Sequence, residues 1–198
     1  TVAAKIEDLK KWSVDSSAST HAVCAEVIEV PNSFICAFKA LVQMNDSLVR
    51  IGFFTGTANG FPKGTLISND DPTLGEYKKI IEGHTLISDD MDAFENAAVA
   101  TTTLQKKLNS IELDFYTNIV GNIKSAKFNS KYAIIAFANE STNTDIVVRH
   151  EINHAKYYLQ SNYNQIIWDF WKNKVSDSDK AEIKATLGEI YNAEDDNI

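Results

Sequence analysis

The stretch "DIVVRHEINHAKYYLQ", Asp145 to Gln160, decides how this chain is read. Turned at about 100° per residue, it places Arg149, Asn153, Lys156 and Gln160 on one narrow polar strip. Ile146, Val148, Ile152, Ala155 and Leu159 lie elsewhere on the wheel. So thin a wet face predicts a helix buried on most sides. His150 and His154 fall inside the apolar arc, between Ile146, Val147 and Tyr158, and Glu151 borders it. Residues four apart on a helix are neighbours, so the two imidazoles can meet one tetrahedral ion. Glu151, one step round, then stands next to the water that such an ion activates rather than next to the ion.

The competing reading is a pair of core histidines with a glutamate beside them by chance. At this composition the H-E-x-x-H spacing arises by accident in roughly one chain of this length in two hundred. An ionised glutamate in an apolar region is costly unless a cation balances it. The pattern therefore assigns His150 and His154 as ligands of Zn2+ and Glu151 as the general base.

With these residues the chain resembles the zincin metallopeptidases, the resemblance resting on His150, Glu151 and His154 in "HEINH". The resemblance implies zinc-dependent hydrolysis of a polypeptide substrate. It also implies a sheet-containing upper lobe whose edge strand binds extended substrate, then the active-site helix, then a helical lower lobe. Lys131–Ala138 would be that edge strand. No histidine follows His154, which rules out the metzincin branch and its third histidine. In the gluzincin branch the third ligand is a glutamate on a later helix. Glu189 is the leading candidate, with Glu182 and Glu194 behind it, and none stands in an N-E-x-x-[AD] setting. Alternatively, that glutamate lies beyond Ile198. An oxyanion-stabilising residue would come from Tyr157, Tyr158, Tyr163 or Tyr191. The alternative is a non-catalytic relative that binds zinc or peptide with an incomplete site.

The rest of the chain predicts an α+β fold in one domain, residues 1–198. A sheet-containing lobe with the active-site helix covers about 1–155 and a helical lobe about 156–198. Residues 21–57, rich in Val, Ile and Phe and broken at Pro31-Asn32 and Asn45-Asp46, read as three antiparallel strands. The middle piece also fits a helical face. Thr55–Gly64 reads as a loop and lacks a phosphate-loop ending. Helices are expected over Leu74–Ile81 and Met91–Ser110, and strands near Leu113–Val120 and Lys131–Ala138. Asp89, Asp90 and Asp92 suit a helix N-terminus better than a calcium loop. Two helices should follow the histidines, the second capped at Ser176 or Ser178, with Trp168, Phe170 and Trp171 in the core.

Composition limits the partners. A net charge of −8 repels phosphate backbones and argues against nucleic acid. No apolar run approaches the roughly 20 residues of a membrane helix. No basic-then-apolar leader opens the chain, but it begins at Thr1 rather than Met, so export is compatible with it and the compartment stays open. Cys24 and Cys36 read equally well as a disulfide or as two buried thiols.

Overall fold

The computed structural model describes residues 3–4, 22–56, 61–127, 130–141 and 143–187. Two apolar hexapeptides, "SFICAF" and "AIIAFA", form the middle of its sheet, and all their residues are buried. They pair in parallel from Ser33 with Ala133 to Phe38 with Ala138. A parallel pair covered on both faces needs apolar side chains at successive positions, and both segments have them.

In chain order the elements are β1 (Ala3–Ala4), β2 (Ala22–Val27), β3 (Ser33–Phe38), α1 (Leu41–Phe54), α2 (Pro72–Ile80), β4 (Gly83–Ile87) and α3 (Ser88–Ala100). After a 3-10 turn at Leu104–Lys106 come α4 (Ser110–Phe115), a π-helical turn at Tyr116–Val120, and α5 (Gly121–Ala126). Then come β5 (Ala133–Ala138), α6 (Thr144–Leu159), α7 (Ser161–Lys174) and α8 (Asp177–Leu187). The sheet order is β1-β2-β3-β5-β4, with β2 and β4 antiparallel to their inner neighbours. The fold is α+β with a mixed sheet.

The β2–β3 hairpin turns through Pro31-Asn32, as the turn residues require. Asn32 takes φ 66°, a left-handed conformation that asparagine tolerates. Across that hairpin Cys24 stands opposite Cys36, and the two are disulfide-bonded. On one face of the sheet, Phe34, Phe38 and Ile134 pack with Met44, Leu48 and Phe94 of α1 and α3. On the other, Ile35, Ile135 and Phe137 pack with Val148, Ile152 and Ala155 of α6. The helix that bears the histidines is thus laid across β5 and β4.

Several expectations are met: the hairpin, a helix near Leu74–Ile81, a strand at the end of Lys131–Ala138, and two helices after α6. Ser176 caps α8, its hydroxyl accepting from the Asp179 amide at 3.1 Å. Asp89 and Asp90 lie in the first turn of α3, and Asp89, Asp90 and Asp92 pair with Lys131, Lys63 and Lys124.

Others are corrected. The third strand expected in residues 21–57 is the helix α1, because Met44, Leu48 and Ile51 repeat at helical spacing toward one core. The strand expected near Leu113–Val120 is helical for the same reason, with Phe115, Tyr116, Ile119, Val120 and Ile123 on one buried side. The helix expected over Met91–Ser110 ends at Ala100. Lys131–Ala138 is not an edge: β5 lies between β3 and β4, and the edge on that side is β4, a segment not expected as a strand. Residues 57–60 of the expected loop lie outside the described residues. Among the described residues, no helix is long and apolar enough to cross a membrane.

Candidate metal centre and its cleft

The side chains of α6 divide between two surroundings. Val148, Glu151, Ile152 and Ala155 are buried against the sheet. His150 is exposed, His154 is half-buried and Ile146 is 70% exposed. This corrects the expectation that the histidines lie within a buried arc. A helical wheel locates the apolar side chains but not the surfaces that cover them, and the sheet covers only the side through Val148 and Ile152.

The histidines nevertheless converge. Their Nε2 atoms are 3.0 Å apart, with the rings edge to face at 4.6 Å between centroids. Burial, with His150 beside it, pushes the His154 imidazole down to about 4, so it is neutral at pH 7 with a lone pair to offer. Two nitrogens on one tetrahedral zinc, each at about 2.0–2.1 Å, stand about 3.4 Å apart. A few tenths of an ångström of ring movement reaches that spacing. The pair therefore fits two of the three protein ligands of a catalytic zinc.

Glu151 turns the other way, into the seam between α6 and the edge strand. The Thr85 hydroxyl of β4 lies 2.7 Å from Glu151 Oε2 and 2.8 Å from the Glu151 carbonyl oxygen. One hydroxyl hydrogen cannot serve both oxygens fully. A protonated carboxyl donating to Thr85 Oγ1, which in turn donates to the carbonyl, satisfies all three atoms. Burial pushes the Glu151 carboxyl up to about 7, against the pull of the Thr85 hydroxyl, which favours the ionised form when it donates to Oε2 instead. The cost foreseen for a bare buried glutamate is therefore met by a shifted proton and a threonine, without a cation. Gly83 makes the seam narrow enough, since a Cβ there would sit 2.6 Å from Val147 Cγ1 and 2.9 Å from Glu151 Oε1.

On the outer side of the histidines, α6, α7 and α8 enclose a cleft of about 280 Å³. His150 and His154 form part of one wall, and Trp168 and Trp171 stand in it too. The tryptophans and Phe170 were expected in the core. Instead α7 buries no residue, Phe170 is 58% exposed, and the tryptophans line the cleft. Their i, i+3 spacing identifies an apolar face in the sequence but does not say whether another element covers it.

Of the tyrosines considered for oxyanion stabilisation, Tyr157 and Tyr163 line this cleft and Tyr158 is exposed. Tyr191 lies outside the described residues, as do Glu189 and Glu194. Glu182 is exposed on α8, whose cleft side carries Ile183, Lys184 and Leu187. Among the described residues, no three His, Cys, Asp or Glu side chains converge as a metal site. Sequence reasoning missed Thr85 and Gly83. The only signal for them was the short "GHTLI" after Glu82, which reads as a strand once β5 is known to need an antiparallel neighbour. Comparison with protein-family models, with curated proteins and with solved structures finds no match to this chain.

Proposed function

We propose that this chain is a zinc-dependent peptidase of gluzincin type, with His150 and His154 as metal ligands and Glu151 as the proton-transferring group. The observation that carries the reading is the convergence of the two Nε2 atoms at 3.0 Å, one helical step from a carboxyl held near neutrality. The upper-lobe arrangement of zincins supplies further support: an antiparallel edge strand, β4, runs beside the helix that bears the motif.

Bound zinc would polarise a scissile carbonyl and make water a nucleophile at neutral pH. The chain's own residues do the rest. His150 and His154, whose Nε2 atoms meet at 3.0 Å, would turn those lone pairs to the metal in place of the hydrogen bond between them. Glu151 would take a proton from water and return it to the departing amine, which requires its carboxyl to turn out of the α6–β4 seam toward the histidines. Thr85 holds that carboxyl in the seam until it turns. Among the described residues no strand pairs with the outer edge of β4, whose backbone groups an extended peptide could use.

The test measures zinc content and cleavage of a casein-type substrate together. Zinc bound at one equivalent, with cleavage lost and metal retained in Glu151→Gln, is the expected outcome. Full activity in that variant overturns the mechanism.

One observation favours a second reading. No third ligand joins the histidines among the described residues, which suits a non-catalytic domain that binds zinc weakly or binds peptide alone. Glu151 would then be structural, a neutral acid tying α6 to β4. Readily chelated zinc together with no cleavage of any peptide library distinguishes this reading from the first.

A further inference from the structure

The cleft between α6, α7 and α8 has a charge pattern that differs from the rest of the chain. Its walls are mostly apolar or aromatic: Trp168, Trp171 and Ile167 on one side, Ile183 and Leu187 on the other. Among the described lining residues, Lys184 is the one formal cation. Two more ammonium groups stand over rings of the same wall: Lys172 at 5.4 Å from the Trp168 ring and Lys156 at 5.9 Å from the Tyr163 ring. In a chain of net charge −8, a cleft whose described lining carries one lysine and no carboxylate stands out. Such a site attracts a ligand that is apolar in its body and anionic at one end.

Size narrows the ligand. Sites for drug-sized molecules run to about 300–1,000 Å³. A cavity of about 280 Å³ stands at the lower end of that range, a size that suits one large residue. A single residue that combines a bulky apolar side chain with a negative charge is the last residue of a peptide.

We propose that the cleft binds the C-terminal residue of a peptide, with its large apolar or aromatic side chain against Trp168 and Trp171 and its α-carboxylate on Lys184. The catalytic consequence rests on the peptidase reading: with that residue in the cleft, the last amide bond lies at the wall formed by His150 and His154. Water adds across the bond, its hydroxyl to the carbonyl carbon and its proton to the leaving amine, and one free amino acid departs. The chain would then be a carboxypeptidase for bulky apolar C-termini.

Binding can be tested without catalysis, because Trp168 and Trp171 report on the cleft by fluorescence. The metal-free protein is titrated with N-acetyl-L-phenylalanine and with N-acetyl-L-phenylalanine amide. The expected result is a Kd for the acid about tenfold or more below that of the amide, the worth of one charge-assisted hydrogen bond. Lys184→Met should abolish the difference while keeping the amide's affinity, and Trp171→Ala should weaken both ligands. Equal affinity of acid and amide, a preference that survives Lys184→Met, or no binding of either ligand overturns the proposal. Absence of zinc or of cleavage with these binding constants intact overturns the peptidase reading and not the cleft. Cleavage of internal bonds with no acid preference does the reverse.

Discussion

Gly83 matters because it has no side chain. It lies where α6 crosses the edge strand, and any Cβ would meet Val147 and Glu151 well inside contact distance. Both neighbours are side chains of one helix packed on the sheet, so relief requires Val147 and Glu151 to leave their present rotamers or the helix to shift. Gly83→Ala is expected to cost about 1–3 kcal/mol, as overpacking does, read as a lower urea midpoint. An unchanged midpoint would show that the seam is looser than the geometry says. Glu151 depends on the same seam. Its identity was legible in "HEINH", but its partner Thr85 was not, because Thr85 stands 66 residues away in sequence. Local spacing brings His150 next to His154, and no local rule brings Thr85 to Glu151.

Arg50 decides how the helices on the opposite face of the sheet are joined. It is buried in α1, and its guanidinium donates to the carbonyls of Ile67, Lys106 and Lys107, to Asn69 Oδ1, and to Glu112 Oε2 at 2.7 Å. Glu112 also belongs to the capping box that starts α4, with Asn109 as the cap. One side chain therefore ties α1 to two loops and to the start of the next helix. Arg50→Met leaves a buried carboxylate and several carbonyls without donors. The expected loss is about 3–5 kcal/mol by denaturant unfolding. Arg50→Met/Glu112→Leu should recover a large part of it, and if the double variant is no better than the single one, the ion pair is not the cause. In the sequence these helices read as strands because Val, Ile and Phe enrichment outweighs the helical repeat. The signal that favours helix at Asn109 is present in "NSIE", an asparagine cap with glutamate three residues on.

For the whole molecule, His84 links folding to pH. It is buried on β4, and its Nε2 is 2.8 Å from Asn45 Oδ1. Asn45 Nδ2 already donates to the Lys78 and Ile81 carbonyls, so Oδ1 must accept, and His84 donates as a neutral Nε2–H imidazole. Burial depresses the folded-state value to about 4, against 6.5 when unfolded. Between these values the unfolded chain binds the extra proton, so stability is complete above pH 6.5 and falls as pH drops toward 4. At pH 5 the loss from this one group is about 2 kcal/mol. Glu151, raised to about 7, works in the opposite sense between pH 4.5 and 7, so His84 is isolated only by difference. His84→Gln should lose about 2 kcal/mol less than the parent protein between pH 7 and pH 5 in urea unfolding. The same loss in both would rule out His84 as the sensor.

By itself the sequence determined the features that arise between near neighbours along the chain. The β2–β3 hairpin, the strand of "AIIAFA", the helix of "HEINH" and the approach of His150 to His154 all come from spacings of a few residues. Only the tertiary structure decided which surfaces those elements present. It placed β5 inside the sheet and β4 at its edge, turned Glu151 into the seam and the histidines out of it, and left the tryptophans of α7 facing a cleft instead of a core. The reason is that periodicity records which side of an element is apolar, whereas burial depends on what packs against that side from distant parts of the chain.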